Sequence, residues 1–204
     1  MRDQILATAI EVINESGFRF TMSDLVKRLS ISKSTLYAHF KSKEELVGAI
    51  VDLSLANVRQ QEKSILENDT LNAAEKLKAI TAIYPPMTVS VRVMHDLKRY
   101  FPKEWEKGEQ HRIEKWNAIE SLIKQGIKAG YFRPVDLTIL NIIHNGTVKE
   151  LMDDKDFFIH NSLSFYDAMN KVADILLWGI MNPDGSESEP RSSQVLTEAE
   201  SYET

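Results

Sequence analysis

Thr21-Met22-Ser23-Asp24-Leu25-Val26-Lys27-Arg28-Leu29-Ser30-Ile31-Ser32-Lys33-Ser34-Thr35-Leu36-Tyr37-Ala38-His39-Phe40 is the stretch that decides how this chain folds. Thr21 precedes Asp24 at the spacing of a capping box, in which each side chain takes the backbone N–H of the other residue. Phe20 and Leu25 occupy the positions of a hydrophobic staple, so the spacing predicts a helix from Met22 that ends at Leu29-Ser30-Ile31. Ser32 is the next N-cap, stapled by Ile31 and Leu36, and its helix reaches only to about Phe40. Two short helices joined by a tight turn are what a helix-turn-helix requires. The second must enter a major groove about 12 Å wide and carry polar atoms at its N-terminal end. Ser32, Lys33, Ser34 and Thr35 supply those atoms, and the helix N-terminus adds unpaired N–H groups that suit a phosphate. Thr21, Ser32 and Ser42 would serve as caps in any helical protein. Tyr37 and His39 carry more weight, since a short helix has little other reason to present them beside Lys33.

Helical periodicity continues on both sides. Ile5, Leu6, Ala9, Ile10 and Ile13 form one apolar stripe that Gly17 terminates. Downstream, Ser42 with Glu45 forms a second capping box, and Leu46, Val47, Ile50, Val51, Leu55 and Val58 carry a long helix into the sixties. Further helices are predicted over 71–84, 88–100, 103–129, 135–152 and 162–181, with a break at Pro85-Pro86 and a stop at Gly130. Nothing reads as a strand. The expected fold is all-α: a three-helix head at 1–45, a larger helical body for effector binding and dimerisation at 46–182, and a disordered acidic tail at 183–204, where apolar surface is too sparse to fold.

The net charge of −5 argues at first against a nucleic-acid partner. Its distribution reverses that. Asp184, Glu187, Glu189, Glu198, Glu200 and Glu203 stand against Arg191 alone, so the tail carries the whole excess. Lys27, Arg28, Lys33, Lys41 and Lys43 fall in a segment without one acid. The absence of cysteine rules out disulfides and thiolate metal sites and fits a cytoplasmic protein. Asp3 and Glu11 interrupt any secretory signal, and the longest uncharged stretch, 79–91, is too short for a bilayer, so no membrane partner is expected.

An enzyme is not expected either: there is no H-E-x-x-H, no Glu-x-x-His repeat, no glycine-rich phosphate loop and no nucleophile elbow. His95, His111, His144 and His160 show no metal-ligand spacing, and neither metal nor cofactor is called for.

Residues 5–50, with Thr21-Met22-Ser23-Asp24-Leu25, Ser32-Lys33-Ser34-Thr35-Leu36-Tyr37-Ala38-His39-Phe40 and Lys41-Ser42-Lys43-Glu44-Glu45-Leu46, closely resemble the TetR family of bacterial transcriptional regulators. The resemblance covers about the first quarter of the chain. It implies that Thr21 and Lys43 bind phosphate, that Ser32, Lys33, Ser34 and Thr35 face bases or nearby phosphates, and that Tyr37 and His39 touch backbone. Leu36 and Phe40 would be core. Many members of the family place glycine at the turn; Ser30 stands there in this chain.

Operators are commonly read as two half-sites, so a homodimer on a double-stranded DNA operator is expected. The resemblance implies that the last two helices pair with their symmetry mates, here through Leu140, Ile142, Ile143, Gly146 and Leu151, then Met169, Val172, Ala173, Leu176 and Ile180; intramolecular core is the alternative. A small-molecule cavity is expected among Tyr84, Met87, Arg92, Met94, His95, Tyr100, Phe101, Trp105 and Trp116, although such a set also serves as ordinary core. Repression released by ligand is the expected mode; the alternatives are activation, because promoter position decides the outcome, DNA-binding regulation that answers to no ligand, and a helical interaction protein.

Overall fold

The computed structural model describes residues 1–84 and 91–182. Met87 and the tail at 183–204 lie outside the described residues. Gly17, at φ 69°, ends the first helix, α1 (Arg2–Ser16), in a conformation that a side chain would strain. A 3-10 turn (Gly17–Arg19) leads to α2 (Met22–Leu29), α3 (Lys33–His39) and α4 (Lys43–Leu66). The capping box of Thr21 and Asp24 forms, and Ser32 caps α3 as its spacing predicts. Ser42 caps α4, but Glu45 reaches past it and accepts from the Lys41 N–H at 2.7 Å, so this box is incomplete.

Ser30 occupies the left-handed region at φ 54° and ψ 38°, and the N–H groups of Ser30 and Ile31 close the end of α2 onto Lys27 and Val26. A left-handed residue with a side chain costs about 1–2 kcal/mol, and glycine gives back part of that through unfolded-state entropy. Ser30→Gly is therefore expected to raise stability by about 0.5–1 kcal/mol in urea unfolding. A lower midpoint would show that the serine side chain contributes a contact of its own.

The body contains α5 (Ala73–Ala82), α6 (Val91–Tyr100), α7 (Pro102–Lys128), α8 (Leu137–Asp153), α9 (Lys155–Asn161) and α10 (Phe165–Ile180). Boundaries differ from expectation where caps intervene: Asn72 and Glu75 start α5, Asp136 starts α8, and Ser164 with Asp167 starts α10. The short α9 was not foreseen. Among the described residues the only β-type pairing is an isolated bridge between Phe132 and Met181. Gly126 makes that closure possible, since a Cβ there would stand 2.1 Å from the Phe132 ring.

One apolar core joins α1 to α4, with Ile5, Ile13, Leu25, Leu36, Phe40, Leu46 and Ile50 at its centre. It takes in Leu55 of α4, Val93 of α6 and Phe101, so the division after residue 45 falls within the first turn of a helix that serves head and body alike. A second core lies between α5, α7, α8 and α10, and a third beneath α9.

Candidate DNA interface and body cavity

α3 is amphipathic in the sense that its motif requires. Leu36 and Phe40 are buried behind it, while Ser32, Lys33 and Ser34 are exposed, Thr35 and His39 are half-buried, and Tyr37 is 46% exposed. The Ser32 hydroxyl accepts from the Thr35 N–H at 3.0 Å and lies 2.7 Å from the Ser34 hydroxyl, so the polar N-terminal end is organised before any ligand arrives. Thr21 is spent more fully. Its N–H and its hydroxyl each donate to the Asp24 carboxylate at 2.8 Å, which holds that carboxyl below its usual range.

Lys43 departs from expectation. Its ammonium turns inward, donates to the carbonyls of Phe18 and Phe20, and rests 4.5 Å over the Phe20 ring. Burial pulls its pKa below the ordinary lysine value. In this geometry the side chain ties α4 to the turn before α2 instead of reaching outward. Arg28 is likewise engaged, bonded by both terminal nitrogens to Glu15. Lys27, Lys33 and Lys41 are exposed, and among the described residues none has an ion pair, which leaves them as the cations of this face. Arg2 joins them: its guanidinium sits 5.2 Å above the Phe40 ring, beside the end of α3. No spacing in the sequence marks Arg2, because the contact is tertiary.

On the body, the residues expected to meet a second copy divide. Leu140, Leu151, Met169, Ala173 and Ile180 are buried in the chain's own cores, and Val172 and Leu176 pack against them, so these seven do not form an outer face. Ile142, Ile143 and Gly146 do lie on the surface of α8, with Ile139 beside them. On α10 the most exposed apolar residues are Ile175, at 71%, and Trp178, at 80%, neither of which the sequence marks.

A largely apolar cavity lies between α4, α6 and α7. Of the residues expected to line it, Tyr84, Met94 and Trp105 do, whereas Arg92, His95, Tyr100, Phe101 and Trp116 do not. Phe101 stacks on Phe18 at 5.1 Å in the head core, and Trp116 packs on His144 at 5.5 Å in the body core. The polar wall comes instead from α7: His111, Arg112 and Lys115. Glu62 of α4 bonds His111 at 3.0 Å. Lys115 donates to the Ile83 carbonyl and lies 3.9 Å from the Tyr84 ring centroid. The signal for Lys115 was its helical phase, four residues from both His111 and Ile119 on the buried stripe.

Burial lowers the Lys115 pKa to about 7, with the charge of Glu62 opposing, and lowers that of His144 to about 4, helped by the charge of Lys115. The unfolded chain therefore binds the Lys115 proton more readily than the folded one from about pH 7 up to the ordinary 10.5. Its cost to stability is fully present below that window and fades through it as pH rises. Lys115→Met is expected to raise the melting temperature more at pH 6 than at pH 9. An equal shift at both would place the ammonium in water.

Among the described residues no helix is long and apolar enough to cross a membrane, and no group of side chains has the makings of a metal site.

The family model for bacterial regulatory proteins of the tetR family matches residues 5–50. The HTH-type transcriptional regulator YvaF of Bacillus subtilis is 28% identical over 182 residues, spanning 88% of this chain and 95% of that protein. YhgD, an HTH-type regulator of the same organism, is 30% identical over 142 residues, covering 65% of this chain and 72% of its own. In fold, the chain is similar to a putative transcriptional regulator from Saccharomonospora viridis solved in complex with choline, with a TM-score of 0.68 at 18% identity over 89% of this chain and 97% of that one.

Proposed function

Because the chain belongs to the TetR family of bacterial regulatory proteins, DNA-binding transcription regulators with an N-terminal helix-turn-helix, we propose that it is a homodimeric repressor released from a palindromic operator by a small molecule. The carrying observation is α3, whose apolar back is locked into the head core while Lys33, Ser34, Thr35, Tyr37 and His39 face outward or to its edge. In this reading Lys33, Ser34 and Thr35 meet base edges or phosphates, Tyr37 and His39 meet backbone, and Ser32 and Thr21 hold helix ends at the phosphates. Two such helices must enter grooves about 34 Å apart, which requires a pair of heads on one rigid dimer. The exposed isoleucines of α8 with Ile175 and Trp178 of α10 form the pairing face, and the protein works in the cytoplasm, where its DNA lies.

Coupling runs through α6. Val93, Met94 and Leu97 line the cavity, Val93 also packs in the head core, and Phe101 just beyond stacks on Phe18. A ligand that favours another position of α6 shifts the population toward heads out of register, and DNA affinity falls.

Salt dependence tests which lysines touch DNA. Lys33→Ala is expected to lower the slope of log affinity against log salt by about one unit per head. Lys43→Ala is expected to leave the slope unchanged and to lower the melting temperature instead, because its ammonium holds two backbone carbonyls. The opposite pattern would move the phosphate contact from α3 to the start of α4.

A further inference from the structure

The wall of the body cavity that carries charge is unevenly satisfied. Arg112 is occupied, donating to Glu109 at 2.9 Å and to Asn145 at 2.8 Å. Glu104 has Lys107 at 2.8 Å, and Glu62 has His111. Lys115 is different. It is almost wholly buried, and among the described residues no carboxylate lies within ion-pair distance of its ammonium, whose one hydrogen bond goes to the Ile83 carbonyl. The hydroxyl of Tyr84, under whose ring face this ammonium sits, is enclosed and has no hydrogen-bond partner among the described residues. Around them the lining is apolar: Val51, Leu55, Ile83, Met94, Leu97 and Met152.

A buried ammonium and a buried phenol with donor capacity to spare, on residues that line an apolar space, are complementary to one kind of molecule. We propose that the cavity binds a monocarboxylate with an apolar body, its carboxylate taking a hydrogen bond from Lys115 and another from Tyr84 while the body fills the space toward Met94 and Trp105. This deepens the ligand-controlled reading above and rests on it for its consequence at DNA. Glu104 and Glu109 on the same wall are paired with Lys107 and Arg112, so Lys115, offset only at longer range by Glu62, is the charge that a ligand meets: a cationic ligand would oppose it, and a neutral one would add no counter-charge. Charge-assisted hydrogen bonds in a water-poor site are about twice as strong as neutral ones, so the anion has the advantage.

The test is calorimetric titration of the full-length protein with octanoate, 4-phenylbutyrate, octanol and octylamine, repeated on Lys115→Met and Tyr84→Phe. The expected result is binding of at least one carboxylate, with octanol weaker by roughly tenfold or more and octylamine not bound. Lys115→Met, which is expected to fold with raised stability, should lose roughly tenfold or more in carboxylate affinity while octanol binding persists. Equal or tighter binding of octanol or octylamine, carboxylate affinity unchanged in both variants, or no carboxylate bound at all would overturn the proposal. Each bound compound is then added to the protein–DNA complex. Release by a compound of another class would sink the carboxylate assignment alone, whereas a bound carboxylate without effect on DNA would sink the ligand-release reading alone.

Discussion

Tyr37→Ala is expected to weaken specific operator binding by roughly thirtyfold or more while leaving the fold and the dimer intact. The ring projects from the middle of α3 and is nearly half exposed in the free protein, so its removal opens no cavity in the head. Leu36 and Phe40 do the packing on the opposite side of the same helix. In a dimer each substitution acts twice. A well-placed contact at about 1–2 kcal/mol per head becomes about 2–4 kcal/mol per complex, a loss of roughly thirtyfold to a thousandfold. Mobility-shift titration against an operator obtained by selection from random duplex DNA measures that loss, and thermal melting with sedimentation confirms the fold and the dimer. Binding within about threefold of the parent would show that the ring stands clear of DNA.

The second large effect is expected at the far end of the molecule. Ile175 and Trp178 lie one turn apart on α10, and Ile139, Ile142 and Ile143 are exposed on α8. A surface of this kind, with a tryptophan four-fifths exposed, is what water penalises in a monomer and what a symmetric interface buries. Ile175→Glu with Trp178→Glu places like charges against their own symmetry mates, so the double variant is expected to sediment as a monomer at micromolar concentration with unchanged helicity. Its operator affinity should fall by roughly a hundredfold or more, because two heads no longer share one binding event. A variant that remains dimeric would assign the interface to another face.

The sequence made the head legible because its signals are local. Thr21 and Asp24, Ser32, and Ser42 mark three helix starts by spacing alone, and the structure places those starts at Met22, Lys33 and Lys43. What local spacing does not set is where a long side chain points. Lys43 sits where the family pattern puts it, yet the carbonyls left free by the 3-10 turn at Phe18 draw its ammonium inward.

The body was harder to read for a different reason. α10 is apolar on both faces, with Met169, Ala173, Leu177 and Ile180 inside and Ile175 and Trp178 outside, so periodicity does not tell which face meets a partner. The cavity wall depended on tertiary packing in the same way. Trp116 and Phe101 are attractive by residue type but belong to two different cores, while Lys115 is marked only by its helical phase, which its residue type argues against. The short α9 escaped because seven residues do not establish a period.

Selection of bound sequences from random duplex DNA by the purified protein tests the central claim most directly. The expected result is enrichment of an inverted repeat whose half-site centres lie about one helical turn, or a whole number of turns, apart, and its loss with Tyr37→Ala. A pool that remains random after repeated selection, or that converges on a single unrepeated site, would contradict the reading of α3 as one of two paired recognition helices.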